Sequence, residues 1–255
     1  MIQSILYLVV DGLLGFLIVR GGRERLLFKF PVFYIYLIHV LILDLGRFYV
    51  YTFWPSSYPV VFWYSQFLSL IIGYCVIWEL YSQSLSSYPG VVQVSRAVVS
   101  MALILVLARL LNNALAGPIW GAARTVIDLE RNLRAVQAML LIALTWLVSY
   151  YAIPLGRNLK GILCGYVFFI ATRIVYLAIR SHLGEISQSK SIWTFVSPIG
   201  YLVSLIMWSY ALRAYQPIPK PETDVGIEED YRILVERTVR SIARAGHLIV
   251  RTIRA

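Results

Sequence analysis

The chain has 255 residues, of which 59% are hydrophobic and 14% are charged, with a mean hydropathy of +0.72 and a net charge of +10. Soluble domains carry about 25% charged residues, so this composition excludes an ordinary soluble domain and predicts an all-α polytopic membrane protein. The two cysteines, Cys75 and Cys164, lie in apolar stretches, which excludes a disulfide-stapled secreted domain.

The first predicted elements are membrane helices, each of which needs about 20 mainly apolar residues. The first has no positive charge before it and no cleavage site after it, so we expect a retained helix and not a signal peptide. The fourth is interrupted by Arg96 and Arg109, which have to extend toward opposite membrane surfaces. Seven such segments predict a seven-helix bundle as the domain of residues 1–213: 2–19, 30–51, 60–81, 94–112, 132–153, 161–181 and 192–213.

Charged residues inside these helices are candidates for a functional site, because each is costly at membrane depth. Asp44 in the second helix and Arg173 in the sixth lie at a similar predicted depth, so we expect them to pair. In the fifth helix, a glutamate, an arginine and a glutamine follow one another at i, i+4 and i+7 and share one face. The predicted outer polar cluster comprises Asp44, Arg47, Glu130, Arg134, Gln137 and Arg173.

This cluster holds two acids and three arginines and therefore suits a small anion, a lipid headgroup or a carboxylate. The alternative is that the same groups form hydrogen bonds that hold the helices together. Three further ionisable residues lie in predicted helices: Asp11 in the middle of the first, His39 in the second, and Glu79, near the inner end of the third, where its side chain can extend to the membrane surface. A lone histidine such as His39 is more typical of packing than of metal or haem ligation.

The residue inventory argues against the common enzyme and cofactor classes. A retinal protein needs a lysine inside a helix, but Lys29, Lys160, Lys190 and Lys220 lie at helix ends or in loops. A haem bound by two histidines needs both of them at membrane depth, and His39 is the only histidine within a predicted membrane helix. The sequence has no HExxH, G-x-S-x-G, P-loop or G-x-G-x-x-G motif. We therefore expect no enzymatic activity, no cofactor and no metal site.

Beyond the seventh helix the composition changes, since residues 214–225 form a proline-rich linker and residues 226–255 have the pattern of an amphipathic helix. Apolar residues from Val235 to Ile253 recur on one face, opposite the basic residues Arg240, Arg244, Arg251 and Arg254. We expect this face to bind anionic lipid headgroups. A membrane or cytoplasmic protein partner is the alternative, and we expect no nucleic acid partner.

Orientation follows from the distribution of Lys and Arg in short loops. The basic residues of segment 20–29 and of the C-terminal region would lie on one side, and the 114–126 loop on the other. The first side is the richer in Lys and Arg, so we expect the N-terminus outside and the C-terminus in the cytoplasm. This pattern is typical of a multi-pass protein of the bacterial inner membrane.

Three short motifs carry a resemblance to a known group: WELY at Trp78–Tyr81, SSYPG at Ser86–Gly90 and LERNLRAVQ at Leu129–Gln137. In this order within seven helices, they resemble a group of uncharacterised bacterial seven-helix membrane proteins. The resemblance would cover about residues 28–213. It implies the seven-helix topology and singles out Glu79, Glu130, Arg134 and Gln137, but it implies no activity.

These patterns favour a non-enzymatic sensor or signalling component with a polar pocket in the outer half of the bundle. A transporter of a small solute or lipid is the first alternative, in which Asp11, His39 and Glu79 would continue a polar route inward. A structural scaffold subunit of a membrane assembly is the second.

Overall fold

The computed structural model describes residues 2–86, 89–115, 123–150, 153–183 and 189–216. These residues form seven α-helices and a short 3-10 turn at Leu26–Phe28, and no strand occurs among them. The helices are α1 (Ile2–Arg23), α2 (Pro31–Phe53), α3 (Tyr58–Ser84), α4 (Pro89–Leu115), α5 (Ala123–Tyr150), α6 (Arg157–Leu183) and α7 (Ser189–Ala211).

The all-helical prediction is confirmed for this part of the chain, and the largest difference between a predicted membrane segment and the helix that contains it is at the fifth helix. The apolar run predicts a start at residue 132, but α5 begins at Ala123. Its first turns carry polar residues that a window for apolar segments does not detect. Prolines at Pro31 and Pro59 lie in the first turns of α2 and α3, where a missing N–H breaks no intrahelical bond.

Five helical segments among the described residues are long and apolar enough to cross a membrane. A shorter apolar segment, Val196–Ala211, lies in α7. Many large apolar side chains point outward, among them Leu8 and Phe48, which are 74% and 72% exposed. An apolar outer surface of this kind suits lipid and not water. The five segments are Ile5–Arg23, Pro31–Phe53, Tyr58–Ser84, Leu129–Tyr150 and Arg157–Ile179.

Six of the helices form a closed ring in which each packs on the next: α1, α2, α3, α5, α6, α7 and back to α1. Helix α4 lies outside this ring, packed mainly against α3. We call the half of the ring that holds the α2–α3 turn and the starts of α5 and α7 the cavity half. The opposite half, which holds the start of α2 and the end of α7, is the closed half.

The closed half is tightly packed around Trp208, whose side chain is fully buried. Its indole Nε1 donates to the carbonyl of Ile162 at 3.2 Å, and its ring contacts Phe33 edge-on at a centroid distance of 5.1 Å. Gly165 permits this packing, because a Cβ there would collide with the indole. The packing of α6 on α7 therefore depends on a small residue, as is common between membrane helices.

Buried polar side chains in the closed half bind backbone groups at helix ends. Glu79 of α3 accepts hydrogen bonds from the N–H groups of Val32 (3.1 Å) and Phe33 (2.8 Å) in the first turn of α2. Asn158 of α6 donates from Nδ2 to the carbonyl oxygens of Ala211 (2.9 Å) and Ala214 (2.8 Å) at the end of α7. These contacts satisfy groups that a helix leaves without partners at its ends.

The contacts of Glu79 correct one expectation from the sequence. This side chain does not extend to the membrane surface, since it is only 5% exposed and turns toward α2. The physical reason is that the first N–H groups of α2 need an acceptor, and a carboxylate is favourable at a helix N-terminus.

The predicted C-terminal elements lie outside the described residues. This applies to the rest of the linker beyond Gln216 and to the whole amphipathic helix of residues 226–255, with Arg240, Arg244, Arg251 and Arg254.

Candidate functional site

A central cavity of about 320 Å³ lies inside the cavity half of the ring. All six ring helices contribute side chains to its wall. Its charged lining residues are Asp44 and Arg47 of α2, Arg134 of α5 and Arg173 of α6. The remaining lining residues are Tyr7, Val10, Tyr36, Val40, Phe62, Gln66, Ser69, Phe169, Tyr176, Ser197, Pro198 and Tyr201.

Glu130 organises one side of this cavity and is itself 2% exposed. Its Oε1 accepts hydrogen bonds from Gln66 Nε2 at 2.8 Å and from Arg173 Nη2 and Nε at 3.2 and 3.3 Å. Arg173 also donates from Nη1 to Ser197 Oγ at 3.0 Å. One carboxylate therefore links α3, α5 and α6, and its arginine partner extends the link to α7.

Arg134 is 2% exposed and lies one helical turn from Glu130, with its Nε 3.8 Å from Glu130 Oε1. It donates from Nη1 to Gln137 Oε1 at 3.1 Å and lies over the ring of Phe169 at 5.7 Å. Its Nε–H has no hydrogen-bond partner. Arg134 thus lines the cavity as a buried cation with an unused donor.

Arg47 forms the opposite side of the cavity. It donates from Nε to Ser65 Oγ at 2.8 Å and from Nη2 to Gln66 Oε1 at 3.3 Å. Its Nη1 lies 3.9 Å from Asp44 Oδ1 on the preceding turn of α2. Gln66 therefore connects Arg47 to Glu130, and the polar side chains form one continuous network.

The charges of this network do not balance. Arg47 pairs with Asp44, and Arg173 pairs with Glu130 at the shorter of the two distances that Glu130 makes to arginines. Arg134 shares Glu130 with Arg173, at 3.8 Å from its Oε1, so three arginines meet two carboxylates in the network. A net positive charge is costly in a low-dielectric site, so the cavity suits an anion.

Gln137 lies behind the cavity wall and is fully buried. Its Nε2 donates to the carbonyl of Leu70 at 3.1 Å, which ties α5 to α3. Gly73 of α3 makes room for it, because a Cβ at this position would lie 2.8 Å from Gln137 Nε2 and 2.6 Å from the hydroxyl of Tyr166. The glycine is therefore required by close packing and not by an unusual backbone conformation.

The structure brings the six residues of the predicted outer polar cluster together. Four line the cavity, while Glu130 and Gln137 bind those residues from behind. The expected direct pair of Asp44 and Arg173 is wrong, because each is paired with another residue. A similar depth along their helices places Asp44 and Arg173 at the same cavity, but it does not determine which faces of the two helices contact each other.

The three other predicted positions lie outside the cavity wall. His39 contacts Ser69, which does line the cavity, at 3.2 Å between Nε2 and Oγ. Asp11 lies beside the neighbouring groove described below, and its Oδ1 is buried without a hydrogen-bond partner. Glu79 lies in the closed half as the cap of α2.

Sequence reasoning missed four polar residues of the site: Ser65, Gln66, Ser69 and Ser197. The signal for the first three was present, since they recur within five residues of an otherwise apolar helix and share one face. Ser197 carried no such signal, because an isolated serine in a membrane helix commonly bonds its own backbone.

A larger groove of about 1000 Å³ adjoins the cavity and lies along the seam between α1 and α2. Tyr7, Asp44, Arg47 and Phe62 line both spaces. The rest of the groove wall is largely apolar and aromatic: Leu8, Asp11, Gly12, Leu45, Phe48, Tyr51 and Tyr58.

Two motifs have structural roles near this site. In the WELY motif, Tyr81 donates to the carbonyl of Leu140 at 2.6 Å, and one heptad earlier Tyr74 donates to the carbonyl of Leu133 at 2.8 Å. The LERNLRAVQ motif supplies Glu130, Arg134 and Gln137. The SSYPG motif includes residues 87–88, which lie outside the described part of the chain.

Within the described residues, no group of three or more His, Cys, Asp and Glu side chains is placed to hold a metal ion. Comparisons of the chain with protein-family models, with curated proteins and with solved structures give no match. The chemistry of the site therefore has to be derived from its own geometry, and the resemblance carried by the three motifs stays a prediction.

Proposed function

We propose that this chain is a non-enzymatic membrane sensor that binds an anionic ligand in the central cavity. The observation that supports this most directly is that three arginines and two carboxylates meet in the network, with Arg134 as a buried guanidinium in the cavity wall. A carboxylate or phosphate would supply the missing negative charge and further hydrogen-bond acceptors. The ligand would thereby stabilise one arrangement of the six ring helices.

Sensing is favoured over transport by the difference between the two halves of the bundle. A transport route would need polar groups that continue from the cavity through the closed half. In the described residues the closed half is filled by Trp208, Phe33 and their neighbours, and Glu79 is engaged with backbone N–H groups. This arrangement supports a ligand site that is accessible from one half only.

The proposal extends to topology and to the C-terminal region. All seven helices would cross a bacterial inner membrane, with the cavity half outward and the C-terminus in the cytoplasm. Residues 226–255 would form a basic amphipathic helix on the inner leaflet, where it reports the state of the bundle. In a variant without its native cysteines, labelling of Pro118→Cys by an impermeant maleimide is expected only from outside. Labelling only from the cytoplasm would contradict this topology.

The ligand proposal is tested by thermal unfolding of the full chain in dodecyl maltoside. Glycerol phosphate, added at constant ionic strength, is expected to raise the melting temperature in a saturable way. Arg134→Gln should abolish the rise, and Arg134→Lys, which keeps the charge but loses the Nε–H donor, should weaken it. Arg96→Gln is the matched control, because Arg96 is an exposed arginine on α4.

Two results would overturn the proposal. One is a wild-type protein whose melting temperature does not respond to the phosphate. The other is an equal response in wild-type protein and in both Arg134 variants. Either result would favour the alternative in which the polar network only joins helices, as in a scaffold.

A further inference from the structure

We infer that the anion is the headgroup of a single-chain acidic lipid, whose acyl chain lies in the α1–α2 groove. The inference rests on the proposed function, since it assigns a chemical class to the ligand of the same cavity. It starts from the fact that Arg47 and Asp44 belong to the walls of both spaces. A molecule with a charged end and an apolar end can therefore occupy them together.

The groove has the character that an acyl chain needs. Its wall is formed mainly by leucine, phenylalanine and tyrosine side chains, and it is larger than the cavity, at about 1000 Å³ against about 320 Å³. Leu8 and Phe48 of this wall are also among the most exposed apolar residues of the chain. The groove thus opens sideways from the bundle, toward the position of surrounding lipid.

The charged side chains differ between the cavity and the groove. Arg134, which shares its counterion Glu130 with Arg173, lines only the cavity, while Asp11 lines only the groove and Asp44 is paired with Arg47. Asp11 Oδ1 is a buried acceptor without a partner. A lysophospholipid with a phosphomonoester head fits this order, because its phosphate would meet Arg134, its free hydroxyl would meet Asp11, and its chain would follow the groove.

A second copy of this chain is a less suitable occupant of the groove. It would cover the apolar wall but would leave the net positive charge of the cavity network unbalanced. A small soluble anion would satisfy Arg134 and leave the groove without a role. The acidic lipid is the occupant that uses both spaces.

Native mass spectrometry of the full chain in detergent tests the inference with two lipids that differ in headgroup charge. Oleoyl lysophosphatidic acid and oleoyl lysophosphatidylcholine, added in equal amounts, share the chain and the hydroxyl. We expect the acidic lipid to be bound in roughly tenfold excess, the effect of one charge-assisted hydrogen bond. Arg134→Gln should bring the ratio near one, whereas Arg96→Gln should not change it.

The position of the acyl chain in the groove is tested by a substitution that fills part of the groove. A Cβ at Gly12 or at Gly15 would meet no atom within 4 Å, but only Gly12 lines the groove. Gly12→Leu is expected to lower occupancy by the acidic lipid severalfold, and Gly15→Leu, the same change on the same helix, is expected to leave it as in wild type.

The outcomes separate this inference from the proposed function. If glycerol phosphate stabilises the protein but the two lipids bind equally, the cavity is an anion site and the lipid assignment is wrong. If Gly12→Leu and Gly15→Leu behave alike, or if a lipid-free dimer is the species observed, the groove is not the site of the chain. If neither glycerol phosphate nor the acidic lipid depends on Arg134, both proposals fail.

Discussion

Glu79 and Glu130 are both almost completely buried, but they lie in opposite halves of the bundle and have different partners. Glu79 accepts from two backbone N–H groups of a helix terminus, which are fixed in position by the helix itself. Glu130 accepts from Gln66 and Arg173, whose long side chains can adopt other positions. The closed half therefore uses its carboxylate as a cap, and the cavity half uses its carboxylate in a network that can rearrange.

The comparison also separates structural polarity from polarity that is available to a ligand. The carboxylate of Glu79 has a donor for each of its oxygens within its own protein. In the cavity half, Arg134 retains an unused donor and shares its counterion Glu130 with Arg173. A buried polar residue in a membrane helix is thus informative about function mainly when its charge and hydrogen bonds are not satisfied internally.

The largest loss of stability is expected when the charge of Glu130 is removed. Glu130→Gln would leave Arg173 and Arg134 buried without their counterion, which commonly costs about 3–5 kcal/mol. Unfolding of the detergent-solubilised protein measures this loss. The double variant with Arg173→Gln is expected to recover part of it, because both members of the pair are then neutral.

The pairing is checked by a second double-mutant cycle. Asp44→Asn combined with Arg173→Gln should show a smaller coupling energy than the Glu130 and Arg173 cycle, since Asp44 is paired with Arg47 and Arg173 is paired with Glu130. A larger coupling for Asp44 would show that the pairs exchange partners in solution.

The next largest loss of stability is expected when Glu79, in the closed half, is substituted. Glu79→Ala would leave two backbone N–H groups of α2 without an acceptor and should lower the free energy of unfolding by about 2 kcal/mol. Glu79→Gln keeps one accepting oxygen and should lower it less. Neither change should alter the response to glycerol phosphate, and a lost response would remove the distinction between the two halves.

A loss of stability of similar size is expected when the packing behind the cavity is crowded. In Gly73→Ala the new methyl group must displace Gln137 or Tyr166, and overpacking of this kind costs about 1–3 kcal/mol. Gly46→Ala is the control in α2, where the added methyl group meets no atom within 4 Å. It should be neutral or slightly stabilising, as measured by melting temperature.

The smallest loss of stability is expected when the tyrosine hydrogen bonds between α3 and α5 are removed. Tyr81→Phe removes one hydrogen bond to the Leu140 carbonyl and should cost about 0.6 kcal/mol, the average for such bonds between membrane helices. Tyr74→Phe should behave alike, and the two losses should add because the sites are two turns apart. A strongly non-additive result would show that the α3–α5 seam opens as one unit.

The helical segments were predictable because a helix that crosses a membrane needs a minimum length and an apolar composition, which five of the described segments have. The start of α5 was not, since the sequence of its early turns is polar. The residues of the outer polar cluster could also be found, because charges at membrane depth are rare.

The pairing within the cluster could not be found from sequence. Depth follows from residue number, but rotation of each helix about its axis depends on packing that is distributed over the whole chain. This is why Asp44 and Arg173 were correctly placed at one cavity and wrongly placed in one pair. The role of Glu79 was missed for a similar reason, because its partners, Val32 and Phe33, belong to another helix.

The cap that α3 provides for α2 has a consequence for membrane insertion. When α2 has left the ribosome alone, the N–H groups of Val32 and Phe33 have no carboxylate that accepts their hydrogen bonds, and the hydrocarbon interior of a bilayer offers no other acceptor. They obtain one only when the chain has been extended by 46 to 47 residues and Glu79 has reached the same depth. The two helices therefore gain stability as a hairpin, and a nascent chain that ends between them contains a helix whose first turn is incomplete.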